Sequence, residues 1–302
     1  EKLTINGGNF SYNGAFDPGH GYGLAFEGDV SNITITGATF RSNARQGINA
    51  TNIKHVIFDG ITVADNGTPG DPTNYGFALY EWTGGSEDIL IKNSSFARNG
   101  WAGILISSPD PGFYVKDVEI QSSAFIGNHD AGISVWDVND LQNLKIHHNR
   151  FWSPNALLGN QSVVVDAENN WFGYNTGPGA TYSKVVGNFD ANPWLVMKLD
   201  VNPVFLPGQD STITADLTFN SNNVDTSSLG FLFPGQVSFT PTEYFDPDTE
   251  TLVDSKASSI FSAPPIILGS PPLDVCAQLE NSWDKVCLPF PNFYIMMPII
   301  GR

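Results

Sequence analysis

The chain has 302 residues, and 31 acidic against 14 basic side chains give a net charge of −17. Residues 1–195 hold 10 basic and 19 acidic groups and the remainder 4 and 12, too few cations in either part to neutralise phosphates, which argues against nucleic acid and anionic membrane surfaces as partners. No apolar run reaches the roughly 18 residues of a membrane-spanning helix, so membrane insertion is not expected.

Between Leu3 and Val165 one pattern recurs six times. Its copies are Leu3/Ile5/Phe10/Asn13, Ile33/Ile35/Phe40/Asn43, Val56/Phe58/Val63/Asn66, Ile89/Ile91/Phe96/Asn99, Val118/Ile120/Phe125/Asn128 and Leu144/Ile146/Phe151. In each, the first two apolar residues lie seven and five positions before the third, and in five an Asn follows three later. The last copy has Pro154 and Asn155 instead. Apolar and polar residues alternate, as in Asn32-Ile-Thr-Ile-Thr36, which is the period of a strand, and no stretch carries a helical stripe. A second strand opens on Gly23, Gly47, Gly76, Gly103 and Gly132.

Adjacent anchors (Phe10, Phe40, Val63, Phe96, Phe125, Phe151) are 30, 23, 33, 29 and 26 residues apart. A unit of this length buries its apolar face only by stacking on a neighbour. Short strands with one turn of chain per rung predict a parallel β-helix. Its Phe, Ile and Leu form inward ladders, and its Asn column sits at a tight turn, where Asn tolerates left-handed backbone and bonds the next rung. From Asn to Gly is four residues in rungs two, four and five but ten in rungs one and three. Matched insertions at 14–22 and 67–75 therefore fall on one edge.

These repeats resemble the right-handed parallel β-helix of pectate-lyase-like, copper-maturation periplasmic and archaeal or bacterial surface proteins, over about two-thirds of the chain. The resemblance implies the fold and no single activity, since this scaffold carries lyases, epimerases, hydrolases, adhesins and structural rods.

From Asn169 to Leu195 the text resembles the closing segment of such solenoids, with Trp171, Phe172 and Trp194 as a lid over the last rung. From Val196 the repeat gives way to spaced strands at Val201–Phe205, Ser211–Phe219, Gly235–Phe239, Val275–Leu279 and Asp284–Leu288, with no clear strand in Asn222–Gly235. That spacing suggests an antiparallel sandwich and resembles the immunoglobulin-like modules of surface proteins. The expectation is an all-β chain: a right-handed parallel β-helix with C-terminal cap over 1–195, then an Ig-like β-sandwich over 196–302.

The two cysteines, Cys276 and Cys287, fall opposite each other if a hairpin turns at Asn281-Ser282. This predicts a disulfide and an oxidising compartment. The last dozen residues are almost wholly apolar, with Phe293, Tyr294, Ile295, Met296, Met297, Ile299 and Ile300. They read either as a final strand or as a segment that inserts into another molecule. With a first rung that starts at Lys2 and no capping helix, the second reading points to head-to-tail self-association with other copies of the chain.

Carbohydrate-active solenoids place their chemistry on an outward strand face. Here the fourth position after each Gly is Glu27, Thr51, Tyr80, Ser107 and Trp136, with Glu81, Ser108 and Asp137 one place on. Pectate lyases need several carboxylates converging on Ca²⁺ with a basic residue, and this column has neither. Glu81 and Asp137, two rungs apart, have a spacing attainable for two-carboxylate hydrolysis, although any solenoid with scattered acids offers such a pair. On the loop edge, Asp17, His20, Arg45, Trp101, His129 and Asp130 include acid–base groups, and Asp17-Pro-Gly-His20 resembles the Asp-Pro-His of alginate epimerases, broken by Gly19. The aromatic set Tyr75, Tyr80, Trp82, Trp101 and Trp136, flanked by Glu81 and Asp137, suits a glycan face. No cofactor or metal is expected. The acidic run Asp246, Asp248, Glu250 and Asp254 reads as a solvated loop before it reads as a weak Ca²⁺ site. Sequons start at Asn9, Asn32, Asn49, Asn66, Asn93 and Asn160, with Asn93 the best exposed. The favoured reading is an exported, non-catalytic surface protein that self-associates, binds glycans, or both. The rival is a polysaccharide lyase, epimerase or hydrolase.

Overall fold

The computed structural model describes residues 2–14, 21–206, 208–264 and 273–289. Among the described residues the regular structure is strand, apart from one turn of 3₁₀ helix at Thr242–Tyr244. The chain divides into two compact units. The first comprises Glu1–Val196 with two returning segments, Thr218–Phe233 and Asn281–Trp283.

The first unit is a parallel solenoid. The second to sixth turns each give one strand to each of three sheets, of eight, five and seven strands, as Gly85–Lys92, Ser95–Ala97 and Ala102–Ser108 do in the fourth turn. The repeat residues lie in register. Ile33, Val56, Ile89, Val118 and Leu144 stack in one sheet, and Phe40, Val63, Phe96, Phe125 and Phe151 in the second. In the third, Ile48, Phe77, Ile104, Ile133 and Leu157 stack. All fifteen are buried, each contributing about 1.5–3 kcal/mol by leaving water. The rings of Phe96, Phe125, Phe151 and Phe172 lie 5.1, 5.1 and 5.6 Å apart and near parallel. A parallel in-register repeat forces this offset stacking, since equivalent side chains recur at the rung spacing.

The Asn column forms a continuous ladder. In each of Asn13, Asn43, Asn66 and Asn99, the backbone N–H and the side-chain amide both donate to the Oδ1 of the Asn one rung on, at 2.9–3.2 Å. Where the sixth copy lacks Asn, Ser153 Oγ accepts from Asn128 N at 3.2 Å. The expected left-handed backbone falls one place earlier, at Tyr12, Ser42, Asp65, Arg98 and Gly127, with φ between 52° and 63°. That corner turns the chain so that the Asn itself aims its polar groups along the axis. Two more left-handed columns occur, Asn32/His55/Asp88/Asp117/Asn143 and Gly37/Gly60/Asn93/Ser122/His148. None of these positions carries a β-branched residue, which would strain at such φ. A second polar ladder runs from Ile61 N to Ser94 Oγ, Ser94 N to Ser123 Oγ, Ser123 N to Asn149 Oδ1 and Asn149 N to Asn170 Oδ1.

Trp171 and Phe172 are fully buried at the end of the stack, and Trp194 packs partly buried against the core. The stretch without strand signal, 222–233, belongs to this unit. Its chain neighbour Asn220 donates to Asn169 Oδ1 at 3.0 Å, and the Phe233 ring lies under the Arg150 guanidinium at 5.8 Å. It pairs with the solenoid instead of extending a sheet.

The second unit holds two four-stranded antiparallel sheets, consistent with an Ig-like module. Asp210–Asn220 pairs with Lys256–Ser262 in one, and Gln236–Thr240 with Asp274–Leu279 in the other. Phe239 of one sheet and Phe245 and Phe261 of the other pack with ring centroids 5.3 and 5.2 Å apart, so the inner faces share a core. Cys276 lies opposite Cys287 and is bonded to it. The register is the expected one, while the connection is wider than two residues, its strands ending at Leu279 and resuming at Val286.

Candidate functional site

The aromatic set lies along the seven-stranded sheet. Tyr80 ends the strand Phe77–Tyr80 and is in register with Ser107 of the next rung. One rung further the ladder slips: Ile106 pairs with Val135, but Ser108 with Val138, so Trp136 and Asp137 together oppose Ser107. This is a β-bulge, and Asp137 adopts φ 51° within it. Bulges re-aim side chains, and here Trp136 stands out at 42% exposure. Trp82, at 50% exposure, meets Tyr80 edge-on at 5.8 Å. Tyr75 and Trp101 lie instead at strand starts, beside the 67–75 insertion. Burial, then Asp71, pushes the Tyr75 hydroxyl up to about 12, and it donates to Pro72 O. Trp101 packs on His129 at 6.1 Å.

Glu81, expected on the outer face, is wholly buried. Its carboxylate accepts from Asn52 N at 2.9 Å, from Thr51 Oγ at 3.4 Å and from Ser86 Oγ. Burial pushes its pKa up against these bonds. The physical reason is the turn at Asn52, φ 52°, whose N–H needs an acceptor that the next rung's Glu81 supplies. Glu81 therefore braces two rungs and is not free to pair with Asp137 over a substrate. Asp137 is exposed; its Oδ1 accepts from the Asn160 amide, and Asn160 Oδ1 accepts from Asp137 N, both at 2.7 Å. Of the outward positions expected, Thr51 and Ser107 are also buried.

On the loop edge, Arg45 Nη1 donates to Tyr22 Oη at 3.1 Å. Burial raises the Asp130 carboxyl, and Asn155 donates to its Oδ1 at 3.2 Å. Asp17 and His20 lie outside the described residues, as do Phe293, Tyr294, Ile295, Met296, Met297, Ile299 and Ile300. The acidic run is divided between two strands, with Asp246 in Phe245–Asp246 and Glu250 in Thr249–Thr251 of the other sheet. Among the described residues no group of three or more His, Cys, Asp or Glu is placed to hold a metal ion. Sequons at Asn49 and Asn66 are buried, whereas Asn93 is exposed and donates to Asp59 Oδ1 at 2.8 Å.

Three features went unread in the sequence. Trp152, Tyr182 and Trp283 form a ring cluster with centroids 4.9, 5.1 and 6.4 Å apart. His148 is buried with neither ring nitrogen hydrogen-bonded. A shallow pocket of about 270 Å³ opens on another sheet between Leu141, Leu144, Val163 and Val164. The first depends on Trp283, more than a hundred residues further along the chain than Trp152 and Tyr182, which no local pattern signals.

The stacked rungs and the bulged aromatic edge define a right-handed β-solenoid protein. The chain belongs to the family described as the right-handed β-helix region, which matches residues 2–172. Comparison with curated proteins and with solved structures found no match. Among the described residues no helix is long and apolar enough to cross a membrane, and the Cys276–Cys287 disulfide hints at an oxidising environment.

Proposed function

We propose that the protein is a non-catalytic, extracellular or cell-surface structural protein, a rigid solenoid that self-associates head to tail and offers its bulged aromatic edge to glycans. The observation that carries this is the position of Glu81. The carboxylate expected to partner Asp137 in hydrolysis is consumed in bracing Asn52 and Ser86, while Trp82 and Trp136 stay exposed at 50% and 42%. Acid–base catalysis needs a group within reach of substrate, and stacking needs only an open flat ring. The sequence of 291–302, with seven large apolar side chains, supports self-association, since a strand of that composition favours pairing with another chain. Sizing the full chain against a chain ending at 290, at high concentration, tests this. Assembly by the full chain alone is expected, and two monomers would end the self-association reading. Reducing-sugar release from neutral and acidic polysaccharides at a rate lost in Asp137→Asn would end the non-catalytic one.

A further inference from the structure

We propose that the edge formed by Tyr80, Trp82 and Trp136 takes an uncharged polysaccharide and excludes polyuronates and sulfated glycans. This rests on the glycan-presenting reading above and adds the charge class of the ligand.

The geometry supplies two platforms. Tyr80 pairs with Ser107, and Trp136 lies in the bulge opposite that serine on the following rung, so at about 4.8 Å per rung the two rings are about 10 Å apart along the solenoid axis. Between them lies Ser107, small and nearly buried, so the floor is low and the rings rise at either side. An extended pyranose chain laid along the axis therefore places one sugar against Tyr80 and Trp82 and a later one against Trp136. The apolar faces of the sugars meet the rings, and their hydroxyls meet the polar fork of Asp137 and Asn160. A carboxylate accepts hydrogen bonds and cannot donate them, so Asp137 suits a hydroxyl-rich ligand.

Charge decides the class. Residues 75–83, 102–113, 131–140 and 155–163 supply the strands and turns of this edge, and they contain no Lys or Arg. The same stretches hold Glu81, Asp110, Asp137 and Asp140. Lys116, Lys145 and Lys92, the lysines nearest in sequence, lie on strands of a different sheet, and Lys92 and Lys116 are ion-paired with Asp59 and Asp117 at 3.4 and 3.5 Å. A polyanion needs cations to hold it. Here it meets a like-charged edge on a chain of net charge −17.

The test is affinity electrophoresis of the full chain through gels containing mixed-linkage β-glucan, mannan, polygalacturonate or dextran sulfate, at low and high salt. Retardation by β-glucan or mannan, unchanged by salt, is expected, with no retardation by either polyanion. Trp82→Ala and Trp136→Ala are each expected to weaken binding about tenfold without changing the melting temperature. Salt-sensitive retardation by a polyanion, equal to or stronger than that by the neutral polymers, overturns the charge assignment and leaves glycan presentation standing. Retardation that survives both tryptophan changes overturns the placement of the site. Retardation by none of the four overturns glycan presentation itself.

Discussion

Asn66 donates its backbone N–H and its side-chain amide to the same atom, Oδ1 of Asn99, at 3.2 and 3.0 Å. Its remaining amide hydrogen goes to Phe40 O at 3.0 Å, and its own Oδ1 accepts two bonds from Asn43. Every polar atom of a wholly buried side chain is thus used to tie three rungs together.

Replacing Asn66 tests that tie. In Asn66→Ala the Asn43 N–H and amide and the Phe40 carbonyl lose their partner inside the protein, at about 1–3 kcal/mol for each orphaned group. A loss of about 4 kcal/mol is expected in the denaturant unfolding of the solenoid, a large share of the margin of an ordinary domain. Asn66→Asp should be worse at neutral pH, because a buried carboxylate then faces Asn99 Oδ1 and cannot donate. Burial would raise that carboxyl's folded pKa above the unfolded value, so stability returns as pH falls and is lost as pH rises. Equal stability of Asn66→Asp at pH 4 and pH 8 would contradict the ladder.

Glu81 predicts a pH dependence of the same sign. Burial raises its folded pKa above the ordinary carboxylate value. Its contribution is therefore complete below the unfolded pKa and declines as pH rises through the folded one. Glu81→Gln keeps an oxygen for Asn52 N and places an amide towards Ser86, so it should fold and remove that decline. Glu81→Ala leaves Asn52 N and Ser86 without their acceptor and should cost about 2 kcal/mol at all pH values. Unfolding midpoints across pH 4–8 decide between a structural brace, which Gln replaces, and an acid that must ionise, which it does not.

The parts of the fold legible beforehand were those written with a local period. Phe96, Phe125 and Phe151 recur with strand alternation around them, and a recurrence that close to constant has one packing solution. The disulfide register was legible because opposite strands of a hairpin pair by simple reflection, even though the turn between Leu279 and Val286 is wider than expected. The candidate face was half legible. Trp82 and Trp136 stand outward, and Glu81, set between Tyr80 and Trp82, turns inward as alternation requires. What it meets there, the N–H of Asn52 at a left-handed turn 29 positions away, is written in no local pattern. Position along a strand predicts the face, and only the stacked rung supplies the partner.

Reduction of the disulfide should act on the second unit. Cys276 and Cys287 close a short loop, with a sequence separation of 11, and a cross-link of that span restricts the unfolded chain by about 3 kcal/mol. Cys276→Ser with Cys287→Ser should lower the calorimetric transition of the antiparallel unit by several degrees and make it insensitive to reductant. An unchanged transition in the wild-type chain under reductant would show that the pairing of Asp274–Leu279 with Val286–Pro289 stands without the bond.

His148 gives the opposite pH sign. Burial, then the charge of neighbouring His147, lowers its pKa from 6.5 to about 4. It sits at a left-handed corner, φ 54°, with its ring close against the backbone of Gly230, where an added Cβ would come within 3.1 Å of Nδ1. A depressed folded pKa means the unfolded chain binds the proton first. The stability of the neutral imidazole is thus complete above 6.5 and drains away as pH falls towards 4, reaching about 3 kcal/mol. Asn tolerates the left-handed corner and does not titrate, so His148→Asn should flatten this acid limb while leaving the neutral-pH midpoint within about 1 kcal/mol. Chemical unfolding at pH 7, 5.5 and 4 measures it. An acid limb equally steep in the variant would assign the loss to other groups.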